Sequence, residues 1–246
     1  MNSFYDKLAD RGKKQFALLV VPDKQDDRSL DVLMDQINKY PPDILLVGGS
    51  ILFKPIDLTI TSLKLGTNLP VFLFPGNVMQ ISDRADGILF LSLISGRNPE
   101  FLIGNHVLAA PHLSRSGIEV IPTGYLLIEN GHSTTVEYVS NTRPIPAGKC
   151  DLAIATCMAG EMLGMKSIYL EAGSGAHQCV GKDMISAIRK KISLPLIVGG
   201  GIATAGQAEE VYQAGADMVV VGNAIEEDSS LVKTFSRLRD KLNSTK

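Results

Sequence analysis

Cysteine is scarce in this chain. There are three, Cys150, Cys157 and Cys179, an odd and scattered set with no metal-ligand spacing. That excludes a disulfide framework and a zinc cluster, and it fits reduced thiols in a cytoplasmic protein. Cys157 lies in an alanine-rich helical pattern, so burial is its expected role. The four histidines are equally dispersed and form no ligand pair. No charge of one sign prevails: 24 basic and 26 acidic side chains leave a net charge of −2. Without a global basic field, nucleic acid is not an expected partner. No apolar run is long enough to cross a bilayer. Met1 to Lys13 lacks the apolar core of a secretory signal, so a soluble, cytoplasmic protein is expected.

What the chain does have is apolar material, 45% of its 246 residues, enough for a large core. It comes in short runs at 16–21, 44–47, 71–74, 87–91, 119–121 with 125–128, 167–170, 196–198 and 218–221. Each reads as a strand buried on both faces. A leading helix is expected over 3–12. Helical patterns follow the strands over 30–37, 54–66, 77–82, 99–113, 149–163, 180–191, 203–214 and 229–242. The segment from Asn130 to Pro146 breaks this rhythm. No composition shift divides the chain, so residues 1–246 read as one domain. Alternating strands and helices leave an open doubly wound sheet or a closed barrel. The open sheet wants a glycine-rich turn after its first strand, where this chain has Pro22-Asp23-Lys24-Gln25. The glycine clusters follow the last three strands instead, which points to a TIM (β/α)8 barrel.

In that fold, reactive groups sit at the C-terminal ends of strands. Ile168 to Ala176 reads I-Y-L-E-A-G-S-G-A and places Glu171 at such an end. The bland reading is a solvated charge. The chemical one is a general base or a partner for a substrate hydroxyl. Tyr169, two residues earlier, points to the same face. Gly200, Gly201, Gly222 and Asn223 offer main-chain N–H groups to one phosphate, and helices starting near Ala203 and Ala224 would add their dipoles. The alternative is that these glycines only make tight turns. Asp23 and Ser50 end the first two strands, and such an oxygen pair can hold Mg²⁺ when a substrate phosphate supplies further ligands. Ser50 fits a helix N-cap equally well. Lys24 and Arg97 would offset phosphate charge.

Six stretches carry a family resemblance: L-L-V-G-G-S at 45–50, F-P-G-N at 74–77, S-L-I-S-G-R-N-P at 92–99, Y-L-E-A-G-S-G-A at 169–176, V-G-G-G-I at 198–202 and V-G-N-A-I at 221–225. Together they resemble the geranylgeranylglyceryl phosphate synthase family, which includes the heptaprenylglyceryl phosphate synthases, and more closely its larger, archaeal-type branch. The fourth stretch is the most specific, and it implies substrate contacts from Tyr169, Leu170, Glu171, Ala172, Gly173, Ser174 and Gly175. The resemblance implies transfer of a prenyl group, geranylgeranyl in this branch, from a prenyl diphosphate to the 3-hydroxyl of sn-glycerol 1-phosphate. The product is an ether-lipid precursor. The resemblance also implies Mg²⁺, a homo-oligomer, and peripheral membrane contact through the lipid product.

One position departs from the family. Its first strand ends Asp-Pro-Asp-Lys, the first Asp being the expected Mg²⁺ ligand, whereas this chain reads Val21-Pro22-Asp23-Lys24. Weakened or lost catalysis on a phosphate-binding barrel is therefore one alternative. A phosphosugar isomerase or lyase is another, although no lysine sits mid-strand for Schiff-base chemistry. A prenyl substrate needs a long apolar groove, since each buried CH₂ contributes roughly 0.8 kcal/mol. Leu73, Phe74, Ile94, Leu126 and Leu127 are candidates for its wall, and core packing accounts for them equally.

Overall fold

Eight apolar runs become eight parallel strands that close on themselves. The computed structural model describes residues 3–244. The strands are β1 (Gln15–Val20), β2 (Ile44–Val47), β3 (Val71–Leu73), β4 (Gly87–Leu93), β5 (Glu119–Leu127), β6 (Ser167–Glu171), β7 (Leu196–Gly199) and β8 (Met218–Val221). They pair in chain order, and β8 returns to β1 with Met218 opposite Gln15. The helices are α1 (Phe4–Leu8), α2 (Asp27–Lys39), α3 (Ile56–Gly66), α4 (Asn105–Ser116), α5 (Thr135–Ser140), α6 (Cys150–Met162), α7 (Lys182–Arg189), α8 (Ala205–Ala214), α9 (Asn223–Glu227) and α10 (Leu231–Ser244). Among the described residues no helix is long and apolar enough to cross a membrane.

The unbroken hydrophobicity of the strands has a plain cause: each strand feeds two cores. Phe16, Leu18, Val20, Leu45, Val47, Leu170 and Val198 face outward and join the helices in one apolar cluster. Ala17, Ile44, Leu46, Phe72, Leu89, Tyr125, Tyr169, Ile197 and Val220 fill the barrel interior in a second. Helix α1 is shorter than the 3–12 pattern suggests, because its task is to close the bottom of the barrel. Phe4 lies with its ring 5.1 Å from that of Phe72. The Glu119 carboxylate, at the start of β5, accepts the N–H groups of Phe4 (2.8 Å) and Tyr5 (2.9 Å) and the Ser3 hydroxyl. A carboxylate at a helix N-terminus meets both unpaired donors and the helix dipole.

Two other expectations change, and the excursion after Asn130 stands. β5 is one strand through Pro122, with Pro122 opposite Phe90 on β4 and its carbonyl accepting the Lys166 N–H. The missing N–H is therefore no obstacle to a continuous strand. The helix expected over 99–113 opens as one π turn, Glu100–Gly104, before α4, and runs on to Ser116. It stops at Gly117, whose φ of 73° suits a left-handed cap. The excursion after Asn130 contains α5 and rejoins the barrel where Ile145 bridges Ile128.

Candidate active site

Tyr169 and Glu171 follow the strand period into the interior of the barrel, where both are buried, at 1% and 7% exposure. The Glu171 Oε1 accepts the Gly173 N–H at 2.6 Å, and the Tyr169 hydroxyl is turned to the same carboxylate. Two glycines on β7 and its loop make the room. A Cβ at Gly199 would overlap the Tyr169 hydroxyl, and one at Gly200 would overlap Glu171 Oε1. Burial pushes the Glu171 carboxyl up to about 7, against the Gly173 N–H and the Tyr169 hydroxyl, which favour the charged form. Burial, with Glu171 beside them, holds the Tyr169 and Tyr125 phenols well above their ordinary range.

Around this carboxylate the strand ends turn through backbone that glycine favours. Gly173, Gly175, Gly200 and Gly201 have φ of 104°, 74°, 80° and 69°. Strands β6, β7 and β8 are neighbours, so their loops share one rim. Ser174 Oγ donates to Asn223 Oδ1 at 3.3 Å and ties the first loop to the third. Leu170 and Ala172 are buried on the opposite parity from Glu171, in the outer core. The strand-end order thus brings Glu171, Gly173, Ser174, Gly175, Gly200, Gly201, Gly222 and Asn223 together around Glu171.

Across Tyr125 from the carboxylate lies an apolar cleft, open to solvent, between the ends of β3 and β4 and helices α4 and α5. Phe74, Ile81, Phe90, Phe101, Tyr125 and Val136 are among its lining. Phe74 stands 5.1 Å from the Tyr169 ring and 6.2 Å from the Tyr125 ring, so an aromatic group joins the carboxylate to the cleft. His106 also lines it, with Nε2 2.9 Å from Ser92 Oγ and its ring edge-on to Phe90 at 4.5 Å. Burial lowers its pKa, against a hydrogen bond to the Leu91 backbone, and so favours the neutral imidazole. Of the five side chains expected in the wall, only Phe74 lines the cleft. Leu73 and Leu126 have the outward parity, Ile94 packs against the outer core, and Leu127 fills the barrel interior. Sequence reasoning missed Tyr125, Phe90 and His106. The usable signal was strand parity, since Tyr125 is the register partner of Tyr169. Val136, in the excursion, had no periodic signal at all.

The ends of β1 and β2 are arranged differently. Asp23 lies in a 3₁₀ turn, Pro22–Lys24. Its carboxylate accepts the N–H of Phe53 at 2.8 and 3.1 Å and of Lys54 at 2.8 Å. Val21 packs beside Gly49, with Cγ1 3.4 Å from where a Cβ there would stand. Ser50 lines the cleft mouth and caps no helix, the N-cap of α3 being Pro55. Lys24 is exposed at this rim. Arg97, also exposed, turns back on its own loop and donates to the carbonyls of Gly96 (2.7 Å) and Ile94 (3.3 Å). No three His, Cys, Asp or Glu side chains cluster to hold a metal among the described residues.

Comparison with known proteins adds to this geometry. The model of the PcrB family matches residues 10–239. The chain is 49% identical to the geranylgeranylglyceryl phosphate synthase of Chitinophaga pinensis, over 96% of this chain and 93% of that protein. It is 44% identical to the archaeal protein of the same name from Methanosphaera stadtmanae, over 90% of this chain and 91% of the other. A crystal structure of (S)-3-O-geranylgeranylglyceryl phosphate synthase from Thermoplasma acidophilum, in complex with the substrate sn-glycerol-1-phosphate, superposes with a TM-score of 0.91. The two are 29% identical, and the match covers 99% of this chain and all of that one.

Proposed function

The chain belongs to the PcrB family, and from that premise we propose that it is a prenyltransferase making geranylgeranylglyceryl phosphate from sn-glycerol 1-phosphate and a prenyl diphosphate. The observation that carries this reading is the adjacency of two unlike spaces. A buried carboxylate ringed by glycine loops lies one aromatic layer, Phe74, Tyr125 and Tyr169, from an apolar cleft. A phosphosugar isomerase would need the first space and not the second.

The chemistry follows from the geometry. The phosphate of glycerol phosphate is held by N–H groups of Gly200, Gly201, Gly222 and Asn223, with Ser174 tying that rim together. The prenyl tail lies in the cleft, where apolar burial holds it. The 3-hydroxyl faces Glu171. As its oxygen bonds to C1 of the prenyl chain, the C1–O bond to diphosphate breaks, the electron pair leaves with diphosphate, and the proton passes to Glu171. A carboxyl raised to about 7 is well matched to taking a proton near neutral pH. Tyr169 holds that carboxylate in place, and the exposed Lys24 offsets the charge of the leaving group.

Magnesium rests on the resemblance alone, and the residues at the β1–β2 end do not fit it. Position 21 offers an isopropyl group, and both Asp23 oxygens already accept backbone N–H bonds. Ser50 is then the remaining oxygen donor of the expected set, and no step is routed through a metal. Three scattered cysteines, none of them paired, support a reducing, cytoplasmic setting. The exposed Ile103 in the π turn and Val107 and Leu108 at the start of α4 support self-association.

The direct test is product analysis. The chain is incubated with geranylgeranyl diphosphate and either sn-glycerol 1-phosphate or its mirror image, sn-glycerol 3-phosphate. Ether product with the first and little with the second is expected. No ether with either would overturn the reading.

A further inference from the structure

Gln80 ends a 3₁₀ turn, Val78–Gln80, just after β3. It is 3% exposed. A buried primary amide is costly unless its polar atoms are used. The turn itself does not use them, because its cap comes from Asn77, whose Oδ1 accepts the Met79 N–H at 2.9 Å. The Gln80 amide reaches elsewhere. Its Oε1 accepts the Gly49 N–H at 3.2 Å and the Gly76 N–H at 3.1 Å, and its Nε2 donates to the Gly49 carbonyl at 2.6 Å. All three partners are backbone groups on two loops, one after β2 and one after β3.

Those loops lie where the sheet ladder stops. The β2–β3 register ends at Val47 and Leu73, with one more bond from the Phe74 N–H to the Val47 carbonyl at 2.8 Å. Beyond that point the two backbones still touch. A Cβ at Gly48 would overlap the Phe74 carbonyl, and one at Gly76 would overlap the Gly49 carbonyl. Glycines permit the approach, but glycine alone leaves the spacing soft. The same loops supply Gly49, Ser50, Gly76 and Asn77 to the cleft mouth. The Gln80 amide continues the ladder by one rung in side-chain form, at the place where the ladder would otherwise let the mouth open.

We propose that Gln80 is a positioning residue for the prenyl diphosphate and not for glycerol phosphate. It sets the gap between the Ser50 loop and the Asn77 loop, through which the diphosphate end of the substrate enters while the tail lies in the cleft. The glycerol phosphate rim is built from β6, β7 and β8, on other loops, and shares no bond with Gln80. This inference rests on the prenyltransferase reading above.

The test measures binding of two ligands separately: an unreactive prenyl thiodiphosphate and sn-glycerol 1-phosphate, by calorimetry, on wild type, Gln80→Met and Gln80→Glu. Gln80→Met keeps the shape and removes the amide. It is expected to weaken prenyl thiodiphosphate by about tenfold or more, the scale of lost buried hydrogen bonds, and to leave glycerol phosphate within about twofold. Gln80→Glu adds a readout that a merely structural residue would not move. Its carboxylate can accept both N–H groups but faces the Gly49 carbonyl without a proton. Prenyl thiodiphosphate should therefore bind weakly at pH 8 and recover as the pH falls and the new carboxyl gains a hydroxyl to donate. If Gln80→Met fails to fold, this pH-dependent recovery decides alone. Equal weakening of both ligands, unchanged affinity for both, or a pH-insensitive Gln80→Glu would overturn the proposal. Failure of wild type to bind the prenyl ligand at all would instead overturn the prenyltransferase reading.

Discussion

Tyr125 and Tyr169 are register partners on adjacent strands, and their rings stack 5.3 Å apart at an interplanar angle of 22°. Tyr169 turns its hydroxyl to the Glu171 carboxylate, and Tyr125 lines the cleft. In the function proposed above, the stack is the partition between the two substrates' sites. Tyr125→Phe keeps the ring and should leave turnover within about threefold. Tyr125→Ala removes the partition. Turnover should fall about tenfold or more through lost orientation, with free prenol appearing as water reaches C1. Stability should fall by about 3 kcal/mol as a large side chain is removed from a packed site. Product analysis by chromatography, with a denaturant melt beside it, checks both.

Glu171→Gln retains the shape of the carboxylate and removes the base. Turnover is expected to fall by about 10²-fold while glycerol phosphate still binds. In wild type, kcat/KM should rise with pH through a value near 7, because the carboxyl is raised to about 7 by burial and must be charged to accept the proton. A rate profile flat between pH 5 and 8 would remove Glu171 from the proton transfer.

The same residue makes a stability prediction of opposite appearance. The Glu171 carboxyl has its ordinary value of 4.5 when unfolded and about 7 when folded. Between those values the folded state binds more protons, so its contribution to stability falls as the pH rises, and the loss is complete above about 7. Glu171→Gln has no such slope. Relative to wild type, the variant should melt higher at pH 8 than at pH 4, and a constant difference across that range would contradict the buried charge.

Gly199 should tolerate no side chain. Gly199→Ala drives a methyl into the Tyr169 hydroxyl, so both activity and melting point should drop. Gly206→Ala is the control, since the nearest atom to its Cβ is Thr204 Oγ1 at 3.9 Å. In helix α8 that change should be neutral or stabilising by up to about 1 kcal/mol. Thermal melts of the pair distinguish a space requirement from a general intolerance of change.

Val21 and Asp23 separate metal binding from loop architecture. Val21→Asp places a carboxylate beside Gly49, one residue before Ser50, and should introduce a Mg²⁺-dependent rise in melting point in the presence of diphosphate, absent in wild type. Asp23→Asn should lower the melting point, because one oxygen can no longer serve Phe53 and Lys54 as it does now, and should leave the response to Mg²⁺ unchanged. A wild-type response to Mg²⁺ that Asp23→Asn abolishes would restore Asp23 as a ligand.

The barrel was legible because its strands are buried on both faces, which turns most of them into unbroken apolar runs. The carboxylate was legible because Glu171 interrupts such a run. β5 was harder, since Pro122 reads as a break although its carbonyl still serves β6. The cleft was not legible, because its walls come from β3, β4, α4 and α5, and only packing decides that Phe74 faces it while Leu73 does not. Asp23 shows the limit from the other side. A residue type says what a group can do, and the Phe53 and Lys54 amides decide what it does.

The seal at the bottom of the barrel has a consequence for biosynthesis. Phe4 and Tyr5 leave the ribosome early, yet the carboxylate that anchors them belongs to Glu119, 114 or more residues later. The first helix therefore has no docking site until half the chain has been made. The last strand must then find the first across an even longer separation, from Met218 to Gln15. Loops of that length close slowly, so the nascent chain carries an exposed Phe4 for the first half of its synthesis and an unpaired β1 edge almost to its end. A chaperone that shields residues 4–20 would cover the segment whose partners are made last.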